Sequence, residues 1–410
     1  MTNVYDELLQ RGFIQQVSNE TNLRKKLSAE KITCYIGFDP TADSLHAGSL
    51  VPVMALAFMQ RFGHKPIAIL GSGTTMIGDP SGKTEMRKML TREQIVANGE
   101  KIRAQLSRFL DFDGGRAMMI DNAEWLLQLN YIDFLREVGR HFSVNRMLAA
   151  EAYKIRLEAG LSFIEFNYQV LQAYDYLMLH RRYGCTLQMG GNDQWGNILA
   201  GVDLVRRLDG AEAEALTFPL LTTSTGQKMG KTAAGAIWLD PEKLSLHDFY
   251  QYWVNVDDRD AGRFLKYFTF LPLEEIKALE ALEGADLRQT KTVLAYEITK
   301  NVHGEAAAQQ ARAAAQALFG DGGAAESVPQ MNLLKKDFQE GLGVIDLFVA
   351  AGLAGSKSDA RRLIAGGGAY VNQRRIATID EKIDLNDIQE GSLMLRAGKK
   401  RYKKIVVADV

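Results

Sequence analysis

Thr33-Cys-Tyr-Ile-Gly-Phe-Asp-Pro-Thr-Ala-Asp-Ser-Leu-His-Ala-Gly-Ser49 divides into two halves of different character. Thr33, Cys34, Tyr35, Ile36 and Phe38 suit a buried strand, Gly37 and Pro40 end it, and the apolar run 50–62 is long enough for a helix. His46, Ala47, Gly48 and Ser49 therefore fall at a helix start, where unpaired N–H groups and the positive end of the helix dipole suit an anion such as a phosphate. Gly48, with no side chain, lets a flat ring lie against the backbone. Read alone, the stretch also fits a capped loop, with Ser44 or Ser49 as the cap and His46 on the surface.

Working outward, Lys65-Pro-Ile-Ala-Ile-Leu-Gly71 is a short apolar run ending in glycine, as a buried parallel strand requires. Strand, helix and strand make a βαβ unit and hence a right-handed parallel sheet. Ligands of such sheets sit beyond the carboxyl ends of the strands, here 35–41 and 71–79. The glycine-rich segment 71–84 matches neither the phosphate-loop nor the dinucleotide pattern, because its glycines are wrongly spaced. It reads as a strand-to-helix loop in which Asp79 either faces an ammonium group or is a turn residue before Pro80.

Residues 91–150 read as helical, with a break at Gly114 and Gly115 and a short strand at 117–120. In the apolar helix 163–179, Tyr168, Gln172 and Asp175 are spaced four and then three apart and share one face. Burying Gln172 and Asp175 unpaired would cost roughly 1 to 3 kcal/mol each. They either satisfy an internal network or line a pocket for a small polar ligand. Cys185-Thr-Leu-Gln-Met-Gly-Gly-Asn-Asp-Gln-Trp-Gly-Asn197 repeats strand, glycine pair and polar helix entry, so Asp193 suits the hydroxyls of a ribose, with Gly190 and Gly191 permitting close approach. In the loop-like region after Pro219, Lys228-Met-Gly-Lys-Thr232 sets two lysines three apart, able to reach several phosphate oxygens.

The chain has 410 residues, enough for two or three domains, and a net charge of −1, which provides no strong field toward nucleic acid or membrane. Two cysteines, Cys34 and Cys185, in apolar strand-like surroundings read as reduced core residues of a cytosolic protein; neither fits a metal-ligand spacing. The amino end lacks a signal-peptide pattern, and no run approaches membrane-spanning length. Charge is local: residues 357–404 hold twelve basic residues against six acidic ones. Lys357, Arg361, Arg362, Arg374, Arg375, Lys399, Lys400 and Arg401 are the candidates for a phosphate backbone, the alternative being a solvated charged face.

The pair His46-Ala47-Gly48-Ser49 and Lys228-Met-Gly-Lys-Thr232, in this order and roughly 180 residues apart, resembles the two signature motifs of class I aminoacyl-tRNA synthetases. With Tyr35-Ile-Gly-Phe-Asp-Pro-Thr41, Gly78-Asp-Pro-Ser-Gly-Lys83, the Tyr168/Gln172/Asp175 face and Gly190-Gly-Asn-Asp-Gln-Trp-Gly-Asn197, the resemblance narrows to the bacterial tyrosine-specific members over nearly the full length. It departs from the motifs at Ser49, in place of a histidine, and Gly230, in place of a serine. The tail resembles a small RNA-binding module of some ribosomal proteins and pseudouridine synthases.

The resemblance implies an α/β fold with a Rossmann-like parallel sheet, then a helical domain and a small α+β RNA-binding domain. It places the catalytic domain at 1–244, with an inserted, dimer-forming region at about 91–185, the helical anticodon-side domain at 245–319, a linker at 320–342 and the RNA-binding domain at 343–410. It implies that Tyr35 and Asp175 hold a phenolic hydroxyl, that Asp79, Tyr168 and Gln172 hold an ammonium, and that Gln188 or Gln194 helps place a carboxylate. Asp39, Thr41, His46, Gly48, Ser49, Gly190 and Asp193 would serve ATP; Lys228, Lys231 and Thr232 would serve its departing pyrophosphate, with His46 also acting at the transition state. The implied reaction activates L-tyrosine with ATP and Mg²⁺, with no protein-held metal, and transfers it to tRNA(Tyr). A homodimer, cytoplasmic and free of membrane, follows. A tryptophan-specific relative and an RNA-binding scaffold on a retired fold are the competing readings.

Overall fold

The computed structural model describes residues 3–81, 89–149, 153, 157, 160–224, 226, 229, 231–232, 235–319, 330–339, 341–372, 374–389, 391–398 and 401–408. It divides into two compact units, Met1–Gln309 and Gln310–Val410.

The first unit is built on strands β1 (Gln16–Val17), β2 (Thr33–Phe38), β3 (Lys65–Leu70), β4 (Met118–Asp121), β5 (Cys185–Gly191) and β6 (Glu214–Phe218), in the order β1-β6-β5-β2-β3-β4. All pairings are parallel except β1 with β6, which sets Gln16 opposite Thr217. The chain runs from β2 outward through β3 and β4, then returns to β5 and continues the other way. The order therefore reverses between β2 and β5, which opens a crevice beyond their carboxyl ends. The βαβ expectation holds; β1 and β6 were not among the expected strands.

The helix Leu50–Arg61 buries almost its whole circumference as far as Met59, including Val51, Met54, Leu56 and Phe58, as the apolar run before Gln60 and Arg61 must. Each such side chain contributes about 1.5 to 3 kcal/mol of transfer free energy. The helix Phe163–Tyr183 starts at a capping box between Ser162 and Glu165 and stops at Gly184, whose φ of 61° is the left-handed conformation glycine adopts without strain. Its Val170, Ala173, Tyr176 and Leu177 join Tyr35, Ile67 and Ile69 of the sheet in one core. Cys34 and Cys185 are buried and unbonded. Helices Leu246–Val254, Asp258–Phe268, Leu273–Glu280 and Leu287–His303 follow. Arg11 ties the amino end to them, donating to the carbonyls of Lys266, Thr269 and Leu271 at 3.1, 3.1 and 2.7 Å.

Within the first unit β7 (Lys231–Thr232) and β8 (Gly235–Ala236) form a small hairpin. The second unit contains β9 (Gln330–Leu334), β10 (Leu342–Gly343), β11 (Ala369–Val371), β12 (Arg374–Arg375), β13 (Lys382–Ile383), β14 (Ser392–Ala397) and β15 (Arg401–Ala408). Five of them make a sheet in the order β12-β11-β14-β15-β9, whose inner residues pack on helices Val344–Ala350 and Lys357–Ala365. This corrects the linker. Gln330–Leu334, inside the 320–342 range, is a sheet strand paired parallel with β15, and Phe338 is a fully buried core residue. The polar and glycine-rich residues before it obscured a strand whose partner lies some 70 positions away.

Candidate active site

Beyond the carboxyl ends of β2 and β5 lies a cavity of about 470 Å³. Tyr35, Asp39, Thr41, His46, Gly48, Ser49, Asp79, Tyr168, Gln172, Asp175, Gln188, Gly190, Asp193 and Gln194 all line it, together with Met229. Lys228 and Gly230 lie outside the described residues, as do Lys399 and Lys400. Lys231 and Thr232 are described only as backbone, in β7. A second cavity of about 490 Å³ lies between the amino-terminal and later helices, but its cations Arg11, Arg259, Arg263 and Lys266 each have a carboxylate partner. That arrangement leaves it little charge for a ligand.

One end of the first cavity is a buried hydroxyl site. Asp175, 4 % exposed, accepts from Trp125 Nε1 at 2.7 Å and Asn122 Nδ2 at 2.9 Å. Burial pushes its carboxyl up to about 7 against the pull of those two donors. Tyr35, 1 % exposed, carries an Oη with no hydrogen-bond partner among the described residues. Burial first, and then the Asp175 charge, hold that phenol well above its ordinary pKa. An acceptor and an unsatisfied hydroxyl at the bottom of an apolar pocket suit a ligand hydroxyl that can both donate and accept.

A second end is acidic and tightly networked. Asp79 accepts from the Ser81 N–H at 2.9 Å and from Gln194 Nε2 at 2.8 Å. Asn197, 3 % exposed, donates to Gln194 Oε1 and Gln172 Oε1, both at 3.2 Å, and so fixes two of the expected contact residues. Tyr168 differs in its partner: its hydroxyl proton goes to Asp39 Oδ2 at 2.9 Å, leaving only oxygen lone pairs for a ligand donor. Asp39 also accepts from Thr74 Oγ1 at 2.8 Å. Gln188 Oε1 is buried without a partner among the described residues.

Asn122, Trp125, Thr74 and Asn197 were not read from the sequence. Each acts by holding another side chain, and a single asparagine or tryptophan in an apolar run carries no spacing signal. Gly71 has a similar supporting role: a Cβ there would stand 2.0 Å from Asp39 Oδ1 and 2.5 Å from Thr74 Oγ1. Gly71→Ala is accordingly expected to destabilise the first unit by about 1 to 3 kcal/mol, read as a lowered midpoint in thermal melting.

The third end is the His46 turn. His46 Nδ1, rather than Ser44 or Ser49, accepts the Gly48 N–H at 3.0 Å, which puts the ring proton on Nε2 in the neutral imidazole. The Ala47 N–H donates to the Ile237 carbonyl at 2.8 Å and the Leu239 N–H to the Leu45 carbonyl at 2.9 Å. The Met229 carbonyl stands 3.2 Å from where a Cβ on Gly48 would be. Met229, far along the chain, is thereby brought beside the His46 turn. On the helical side, Asp260 accepts the Ser224 N–H, and Arg263 donates to the Thr222 carbonyl and to Asp260.

In the second unit, the expected phosphate-binding cations separate into two kinds. Lys357 pairs with Asp346, Arg362 with Asp359, and Arg374 with Glu381 and Asp387. Arg361, Arg375 and Arg401 are exposed. Among the described residues no group of three or more histidine, cysteine and acidic side chains is placed to hold a metal, and no helix is long and apolar enough to cross a membrane.

Two family models match the chain: tRNA synthetases class I (W and Y) over 27–320, and the tyrosine–tRNA ligase SYY-like C-terminal domain over 322–405. Tyrosine–tRNA ligases of Desulfosudis oleivorans and Clostridium beijerinckii are each 54 % identical to it; the alignments cover 99 % of this chain and 99 % and 100 % of theirs. The solved structure of a C-terminally truncated mitochondrial tyrosyl-tRNA synthetase from Aspergillus nidulans superposes with a TM-score of 0.70 at 30 % identity, covering 78 % of this chain and 95 % of that one.

Proposed function

The chain belongs to the class I tRNA synthetases of the tryptophan and tyrosine group, and we infer that it activates L-tyrosine with ATP and transfers the tyrosyl group to the 3′ end of tRNA(Tyr). The observation that carries this reading is the pair of Tyr35 and Asp175 at the base of the cavity, a buried unsatisfied hydroxyl beside a buried carboxylate. A phenyl ring would leave both groups without a ligand partner, and an indole, a donor with no acceptor, would leave the Tyr35 hydroxyl without an acceptor, at a cost of roughly 1 to 3 kcal/mol per unpaired group.

With the phenol seated there, the amino group meets Asp79, Gln172 and the Tyr168 oxygen, while Gln188 or Gln194 steadies the carboxylate. ATP lies across Gly48 and Gly190, its ribose at Asp193 and its phosphates near Asp39, Thr41, His46 and Ser49. The tyrosine carboxylate oxygen attacks the α-phosphorus, the bond to the bridging oxygen breaks, and pyrophosphate leaves toward Lys228, Lys231 and Thr232. Charge spreads over phosphate oxygens in this step, so positioned N–H donors and cations accelerate it without an enzyme nucleophile. Magnesium travels with ATP and draws few ligands from the protein. The tRNA terminal hydroxyl then attacks the tyrosyl carbonyl and releases AMP.

Exposed Leu127, Tyr131, Ile132, Leu135, Val144 and Phe163 around the inserted region support a homodimer across that face. The proposed setting is the cytoplasm. The RNA-binding role is assigned to the second unit, with Arg361, Arg375 and Arg401 among its contacts.

Asp175 sets a pH dependence. When tyrosine binds, Trp125, Asn122 and the ligand hydroxyl all donate toward the carboxylate, so the ionised form is the better partner. KM for tyrosine is expected to rise as pH falls through about 7, the value to which burial lifts Asp175. Stability runs the other way: between about 4 and about 7 the unfolded chain has lost a proton that folded Asp175 keeps, so its contribution to stability declines as pH rises across that window. The assignment as a whole is tested by charging a tRNA(Tyr) transcript with labelled tyrosine. Acid-stable label should follow ATP and tyrosine; label transferred from tryptophan instead would overturn it.

A further inference from the structure

The five-stranded sheet of the second unit has two unlike faces. Ala369, Val371, Leu393, Leu395, Ala397 and Ile405 point into the core. The strand register places Tyr370, Arg396 and Tyr402 side by side on the opposite face, with Arg375 paired to Tyr370 and Lys404 beside Met394. Arg396 Cζ lies 3.7 Å from the centre of the Tyr370 ring, a stacked guanidinium. Arg396 Nε has no hydrogen-bond partner among the described residues.

None of the five strands contains an aspartate or glutamate. Of the cations with a carboxylate partner, Lys357 and Arg362 are on the helix Lys357–Ala365 and Arg374 is registered opposite the core residue Val371, so none of the three is in the Tyr370 row. A row of planar groups flanked by cations with no carboxylate partner among the described residues matches a polyanion whose units also carry flat rings.

We propose that the Tyr370, Arg396 and Tyr402 row is a stacking platform for an unpaired nucleotide of RNA, with Arg375 and Lys404 meeting the flanking phosphates. This rests on the reading that the chain handles tRNA, and adds to it where in the second unit, and by what chemistry, the RNA is held. Stacking on aromatic and arginine planes is tolerant of base identity, while phosphate contacts carry the salt dependence.

The two contributions separate by experiment. The full-length chain is titrated with a tRNA(Tyr) transcript at several salt concentrations, alongside Arg396→Lys, Tyr402→Leu and Lys404→Gln, with each variant's melting curve as the check on folding. Arg396→Lys keeps the charge and loses the plane. It and Tyr402→Leu are expected to weaken binding roughly tenfold with the salt slope unchanged. Lys404→Gln is expected to lower the slope by about one. Parent-like affinity in folded Arg396→Lys and Tyr402→Leu would overturn the platform while leaving tRNA charging intact. Equal losses toward polyglutamate and tRNA would mark the face as a protein surface instead, and failure of the parent to bind tRNA would remove the functional reading together with the platform.

Discussion

Asp175→Ala is expected to reduce tyrosine-dependent ATP–pyrophosphate exchange by about a thousandfold in kcat/KM, with the fold retained. Two effects add. The ligand hydroxyl loses its acceptor, and Trp125 Nε1 and Asn122 Nδ2, at 2.7 and 2.9 Å from the carboxylate, are left as buried donors. Hydrogen bonds to a charged group contribute about 1.5 to 3 kcal/mol each, so two of them account for roughly three powers of ten. Asn122→Ala should reproduce part of the loss, because Asn122 also donates to Thr74 Oγ1 at 3.1 Å and accepts the Gly73 N–H at 2.8 Å. Pyrophosphate exchange across the two variants and the parent checks this; an Asp175→Ala protein with exchange near the parent's would remove the carboxylate from the pocket.

The second large effect concerns the carboxyl-terminal unit. Ending the chain after Phe319 is expected to leave adenylate formation within about twofold of the full chain and to lower tRNA charging by a hundredfold or more. Every described residue lining the cavity lies between Tyr35 and Met229, inside the first unit. The second unit has its own sheet and its own core around Phe338, Phe348 and Ile405, while Tyr35 of β2 and Cys185 of β5 belong to a different core cluster. Several phosphate contacts contribute multiplicatively to RNA affinity, which explains the size of the expected loss. The cut belongs at 319, the end of the helix Glu305–Phe319, and not at 343, because Gln330–Leu334 pairs with β15 and a cut at 343 would leave that strand without its partner. Parallel exchange and charging assays separate the two activities; equal loss of both would make the second unit part of the catalytic fold.

Much of the cavity lining is legible in the chain because many of its residues lie at strand ends and helix starts, where glycine, proline and polar residues interrupt apolar runs. Tyr168, Gln172 and Asp175 share a helix face, and the cavity lies on that face. The supports were not legible. Asn197 holds Gln172 from 25 positions away and Trp125 holds Asp175 from 50, through contacts that no local period encodes. Tyr168 illustrates the same limit: its position was readable, but its bond to Asp39, 129 residues away, was not. β1 was missed because two residues carry no alternation, and β9 because its pairing is long-range.

Amino-acid-dependent exchange of labelled pyrophosphate into ATP, measured with tyrosine, phenylalanine and tryptophan in the absence of tRNA, tests the hydroxyl pocket itself. Tyr35 and Asp175 predict strong exchange with tyrosine and little with the other two, and a Tyr35→Phe variant that narrows the gap between tyrosine and phenylalanine. Exchange driven equally by phenylalanine or tryptophan in the parent protein would contradict the hydroxyl pocket on which the account is built.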